Sequence, residues 1–175
     1  MRERAGITWL APLRVSFLAD LHSSRRRVYA GGAVGQSVHA ATLIRQRSIV
    51  FDSALLSNPA ELRRIVTHEL FHFAWVRLGN PLRREWGALL DAECRRAAVG
   101  ELGWSAEKRK RELTAADRRR RSRAWREYAC ESFCDTAAWV FAGARPHAEA
   151  TLAPRHSHRR LEWFASLIAT RGVTI

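Results

Sequence analysis

Ile65-Val66-Thr67-His68-Glu69-Leu70-Phe71-His72-Phe73-Ala74 decides how this chain is read. The stretch contains His-Glu-x-x-His. On an α-helix, residues four apart lie one turn apart on the same face. His68 and His72 can therefore hold one metal ion between their imidazoles. Glu69, beside the first of them, can reach a water on that metal without binding the metal itself. This is the arrangement of a zinc hydrolase, where the metal activates water and a carboxylate takes its proton.

The flanking residues bound the motif as a helix. Asn58-Pro59-Ala60-Glu61 reads as an N-cap, a proline at the first helical position and an acid at the third. Leu62, Ile65, Val66, Leu70, Phe73 and Val76 recur at helical spacing, and Gly79 reads as the stop. The plain alternative is a pair of core histidines satisfied by their neighbours.

Catalytic zinc usually keeps three protein ligands and one open position. A third His six residues after the second, with a Gly midway, marks one class of such proteins. Leu78 and Trp75 occupy those positions here, which excludes it. The better candidate lies in Glu127-Tyr128-Ala129-Cys130-Glu131-Ser132-Phe133-Cys134-Asp135, which continues to Gly143 as a second apolar helix. Glu131 and Asp135 stand one turn apart, and a carboxylate there is costly to bury unless it is paired or metal-bound. Glu127 is the rival ligand, one turn earlier, where the basic, exposed stretch gives way to the apolar one.

On these two helices the chain resembles the gluzincin metallopeptidases, whose pattern is His-Glu-x-x-His followed by a Glu on a later helix. The resemblance implies a small zincin-like α+β domain. In it His68, His72 and Glu131 would bind Zn2+, with Glu69 as general base. Asp135 would stand behind the ligands, fixing an imidazole through its other ring nitrogen. Two groups serve as analogies. The ImmA/IrrE regulatory peptidases of bacteria have a similar helix with Glu, Ala and Phe around the third ligand; here Ala129, Glu131 and Phe133 stand in a different register. SprT-like proteases share a basic, DNA-associated character but use His as third ligand.

Size and composition agree with one domain over residues 1–175. Its 47% hydrophobic content and seven Trp can supply a core. Residues 13–56 carry strand-like material at Leu13–Leu18, Ser37–Ile44 and Ser48–Phe51, with turns expected at Arg25-Arg26-Arg27 and Gly31-Gly32. In zincins a small sheet precedes the metal helix, and its edge strand pairs with an extended peptide substrate. Residues 58–143 read as the helical, metal-binding part. It includes an amphipathic helix from Pro81 to Ala97, a loop at Gly100–Gly103, a short helix capped by Ser105 and a capping box at Thr114-x-x-Asp117. Residues 144–175 form a C-terminal segment ending in a helix with Leu161, Trp163, Phe164, Leu167 and Ile168.

No run approaches the length of a membrane span. The start, Met1-Arg2-Glu3-Arg4 and an apolar run from Ile7 to Leu18, has a signal-like outline. Arg14 interrupts that run, and no small-residue cleavage site follows before Asp20, so a cytoplasmic protein is expected. Three cysteines argue against a disulfide framework. Cys130 and Cys134 flank Glu131 and read either as further metal donors or, more simply, as small buried hydrophobes.

Two features remain open. Lys108 to Arg126 holds ten Lys or Arg against Glu112 and Asp117, a local +8 within a whole-chain +13. Such a patch suits nucleic acid or another polyanion, and a non-catalytic, metal-stabilised nucleic-acid module is the alternative function. A solvated face in an arginine-biased sequence is the plainer explanation, because no base-reading module accompanies the charge. A zinc peptidase also needs a donor for the tetrahedral oxyanion. Tyr128, His147, His156 and His158 are the candidates, and Arg155 and Arg159 could bind a substrate carboxylate instead. His22 and His39 carry no local context.

Overall fold

The computed structural model describes residues 6–24, 27–31, 35–143 and 147–175. The chain is α+β, with small sheets first and a helical region after them. The strands are β1 (Ile7–Thr8), β2 (Arg14–Leu18), β3 (His22–Ser24), β4 (Arg27–Tyr29), β5 (Gln36–Ser37), β6 (Ala40–Leu43) and β7 (Ser48–Asp52). The helices are α1 (Pro59–Arg77), α2 (Asn80–Arg95), α3 (Trp104–Glu112), α4 (Ala115–Arg120), α5 (Arg123–Phe141) and α6 (Pro154–Thr170), followed by β8 (Val173–Thr174).

β7 is the middle of a three-stranded sheet, parallel to β2 and antiparallel to β6. Ile49, Val50 and Phe51 are all buried. Both faces of this strand are covered, which is why its apolar residues run without alternation. β6 is an edge strand. In the second sheet β3 lies between β4 and β5, antiparallel to both. β1 pairs in parallel with β8.

α1 starts as its sequence dictates. The Asn58 side chain accepts from the Glu61 backbone N–H at 3.2 Å, and Pro59 opens the first turn. Ile65, Phe71, Phe73 and Ala74 then face the core. The core is aromatic where the long helices meet. Phe133 of α5 stacks on Phe164 of α6 with centroids 4.9 Å apart, and lies 5.9 Å from both Phe71 of α1 and Trp86 of α2. Trp86 also donates its indole N–H to the Ala129 carbonyl at 3.0 Å. Three helices are thereby docked on α5, and α1 packs on it most extensively.

A buried charge cluster lies beside these rings. The Arg160 guanidinium of α6, fully buried, makes paired hydrogen bonds to Glu93 of α2 and to Glu101 ahead of α3. Tyr128 donates to Glu101 at 2.6 Å, and the Lys110 ammonium stands 3.0 Å from the same carboxylate. Burial alone would raise the Glu101 pKa, but Arg160 and Lys110 bring it down to about 2.

Several local expectations change. Gly79 is not a left-handed stop for α1; it is extended, at φ −62° and ψ 157°, and precedes α2. Ser105 lies inside α3 rather than capping it, and Gly103 holds the cap position without a side-chain bond. The strand expected over 37–44 is split into β5 and β6. Arg27 belongs to β4, while Arg25, Arg26 and Gly32 lie outside the described residues, as do Met1–Arg4 and Arg145-Pro146. The capping box of Thr114 and Asp117 forms as read. Among the described residues no helix is long and apolar enough to cross a membrane.

Candidate metal centre

α1 and α5 pack so that His68, Glu69 and His72 on one face Glu131 and Asp135 on the other. His68 Nε2 lies 3.3 Å from Glu131 Oε2, and His72 Nε2 lies 3.9 Å from the same oxygen. Behind them Asp135 Oδ1 stands 2.7 Å from His68 Nδ1. Asp135 Oδ2 accepts the Ala106 backbone N–H at 2.9 Å, which ties α3 to the centre. Gly103 makes room for this carboxylate, because a Cβ there would collide with it.

Glu69 is held from the sheet. Thr42 of edge strand β6 donates its hydroxyl to Glu69 Oε2 at 2.6 Å. Arg109 of α3 binds the outer oxygen of Glu131, Oε1, at 3.2 Å and leaves Oε2 toward the imidazoles. Sequence reading missed Thr42, Arg109 and Gly103. Each is brought in by tertiary contact, and none has a motif of its own.

The charges reinforce one another. Burial alone would lower the His68 pKa, but Asp135, then Glu131 and Glu69, hold it well above the ordinary imidazole value. His72 follows the same balance. Burial is outweighed by Cys130 and by Glu131, and its pKa rises to about 9. Glu131 moves the other way, down to about 2, because the two imidazoles and Arg109 outweigh its burial.

His72 Nδ1 meets sulfur. Cys130 Sγ and Cys134 Sγ each lie 3.5 Å from it. His68, His72 and Cys134 present ligand atoms all within 4.8 Å of one another, so this group could hold a metal ion. The imidazole pair thus has two neighbouring donors: Glu131 on the Nε2 side and Cys134 on the His72 Nδ1 side.

The centre opens on a cleft of about 450 Å³. β5 and β6 form one wall, with Ala40, Ala41 and Thr42 along the edge strand. Trp104, Lys108 and Arg109 of α3 form the other. Lys108 Nζ approaches Gln36 Oε1 at 3.3 Å across the gap. At one end Glu149 joins α1 to α3, binding Arg64 at 3.1 Å and the Trp104 N–H at 3.1 Å. His39, unassigned from sequence, lines this cleft.

The other sequence candidates lie elsewhere. Glu127 is exposed and pairs with Arg123. Tyr128 is buried on Glu101, outside the cleft. His147 spans Glu61 and the Glu149 N–H, so it braces the cleft end without lining it. His156 is buried on α6 with its Nε2 on Arg155, and His158 is exposed beside Glu162. Arg155 and Arg159 line a separate hollow with Arg96. The cleft brings together His68, Glu69, His72, Glu131 and Asp135, and none of the four oxyanion candidates.

Comparison with known proteins adds no identity: no family model, no curated protein and no solved structure matches the chain.

Proposed function

We propose that this chain is a zinc-dependent peptidase with His68, His72 and Glu131 as metal ligands and Glu69 as general base. The observation that carries the reading is the convergence of both Nε2 atoms on Glu131 Oε2, at 3.3 and 3.9 Å, beside Glu69 on the wall of an open cleft. With zinc bonds of about 2.0–2.2 Å, ligand atoms of a tetrahedral site stand about 3.4 Å apart. The two nitrogen–oxygen distances are close to that spacing. Cys134 is the rival donor, but it is fully buried and does not line the cleft, so a metal drawn to it would turn from substrate.

Zinc held there supplies Lewis acidity, which makes water a nucleophile near neutral pH and polarises the scissile carbonyl. Glu69, aimed by Thr42, takes the proton of the attacking water and passes it to the leaving amine. Asp135 keeps a proton on His68 Nδ1 and so leaves the Nε2 lone pair free for metal. An extended peptide would lie along β6 by backbone hydrogen bonds, a mode tolerant of side-chain sequence. A purely structural zinc site would have no use for Glu69 and would be closed by a fourth ligand.

The test is Glu69→Gln. The purified chain should carry about one zinc and cleave peptides from a mixed library. Glu69→Gln should keep zinc and fold yet lose cleavage, since an amide takes no proton from water at neutral pH. Cleavage retained by Glu69→Gln, or full zinc retention after replacing both histidines with Ala, would overturn the proposal.

A further inference from the structure

The basic stretch 108–126 does not form one surface. Its α3 half is spent internally: Arg109 on Glu131, Lys110 on Glu101 and Arg111 on Glu107. The second half, on α4 and the start of α5, faces away from the cleft. There Arg119, Arg120 and Arg126 have no side-chain partner among the described residues, and neither does Arg84 on α2.

Between α2, the first turns of α5 and the end of α1 lies a second hollow of about 450 Å³. That is within the range of about 300–1,000 Å³ typical of ligand sites. Trp75 and the largely buried Trp125 line its floor, and Arg83, Arg84, Arg121 and Arg126 surround them, with no acid among the lining residues. The Arg83 guanidinium lies over the Trp75 ring at 5.6 Å, and that of Arg121 over the Trp125 ring at 4.6 Å. Each pair offers a flat, cationic, polarisable surface. Arg121 also borders the next hollow, which Arg95, Arg118 and Arg119 line. The acid of that adjoining hollow, Asp91, is already held by Arg95 and Arg121. A basic track therefore runs from the aromatic hollow onto α4.

We propose that this face binds single-stranded nucleic acid, with a base stacked on the guanidinium planes that lie over Trp75 and Trp125 and the following phosphates on the arginines of α4 and α5. The combination decides the ligand class. Charge alone would suit any polyanion, but indoles interleaved with guanidinium groups match what an unpaired base and its phosphates present together. A duplex hides its base faces, and an acidic peptide has nothing to stack. The proposal is independent of the peptidase reading, because the hollow shares no lining residue with the metal cleft.

The test uses a short fluorescein-labelled single strand of mixed sequence and anisotropy, from about 50 to 200 mM salt. The parent chain should bind, with affinity falling steeply as salt rises. Arg84 and Arg126 are exposed and have no side-chain partner among the described residues, so the double variant Arg84→Gln/Arg126→Gln should fold with the parent's thermal stability. It should lose about tenfold in affinity at low salt, and its log–log salt slope should flatten by about 1.4, for two phosphate contacts at about 0.7 each. Trp75→Phe, which keeps an aromatic ring in the core, should weaken binding further through poorer stacking. Arg111→Gln, on the cleft side, should change nothing. No binding at low salt would overturn the proposal, as would an unchanged slope in the double variant. Equal affinity for the matching duplex, or displacement by polyglutamate as effective as by unlabelled strand, would overturn it in favour of a charge-only surface.

Discussion

Asp135→Asn changes one atom and leaves the volume alone, yet it should disable the centre. Asp135 accepts two hydrogen bonds, one from His68 Nδ1–H at 2.7 Å and one from the Ala106 N–H at 2.9 Å. An asparagine has a single carbonyl oxygen. Turned toward His68, it sets its NH2 against the Ala106 N–H, donor against donor. A buried donor left unsatisfied costs about 1–3 kcal/mol. Turned toward Ala106, it sets the NH2 against His68 Nδ1, which must then be the acceptor. In the neutral imidazole that metal binding requires, the proton then sits on Nε2, the atom the proposed zinc needs. Loss of such an orienting partner typically costs about 10–100-fold in metal affinity. Zinc competition against a chromophoric chelator, with denaturant unfolding of the metal-free chain, should find affinity down by that factor and stability down by about 1–3 kcal/mol. Gly103→Ala should act in the same direction, because its Cβ displaces the Asp135 carboxylate. An Asp135→Asn variant with parental zinc affinity and parental stability would refute this role for the carboxylate.

The third ligand can be chosen by substitution: Glu131→Ala should strip zinc, while Glu127→Ala and Cys134→Ser should leave most of it bound. Loss of zinc in Cys134→Ser with retention in Glu131→Ala would move the metal to the sulfur side of His72. Zinc uptake should also release protons. The His68 pKa is well above 6.5 and that of His72 is about 9 in the metal-free chain, so both imidazoles are charged at pH 7 and must deprotonate to bind. Calorimetry in buffers of different ionisation heat should find about two protons released per zinc at pH 7 and fewer as the pH passes 9. Because these pKa values are raised on folding, their stabilisation is complete below the ordinary imidazole value of 6.5 and is lost as pH climbs through about 9. The metal-free chain should therefore weaken over that window. Zinc uptake without proton release at pH 7 would contradict the charged state of the pair.

Much of the scaffold was legible because it is written locally. Asn58-Pro59 starts α1, Thr114 and Asp117 box α4, and Gly143, at φ 67°, follows the end of α5. β7 was legible from its apolar run. β3 was not, since His22-Ser23-Ser24 has no apolar pattern and gains its partners only through β4 and β5. In the site, helix periodicity put His68 and His72 on one face with Glu69 beside them, and the change from basic to apolar sequence set Glu127 apart from Glu131. Thr42 and Arg109 could not be foreseen, because their roles depend on how a strand and a distant helix dock over α1. Arg155-His156-Ser157-His158-Arg159-Arg160 has no apolar pattern of its own. It lies in the first turns of α6, and Arg160 is buried there because Glu93 on α2 and Glu101 ahead of α3 receive it.

That buried cluster constrains how the sequence can drift. Arg160 and Lys110 balance Glu93 and Glu101, and all but Lys110 are almost wholly out of solvent. Losing one member strands a charge, a penalty of about 3–5 kcal/mol, whereas exchanging the whole set for apolar residues can be neutral. Viable descendants of this chain should therefore keep the four together or abandon them together. Glu101 also receives the Tyr128 hydroxyl, so that tyrosine should follow the same inheritance. Four positions scattered over more than sixty residues would then vary as a single trait.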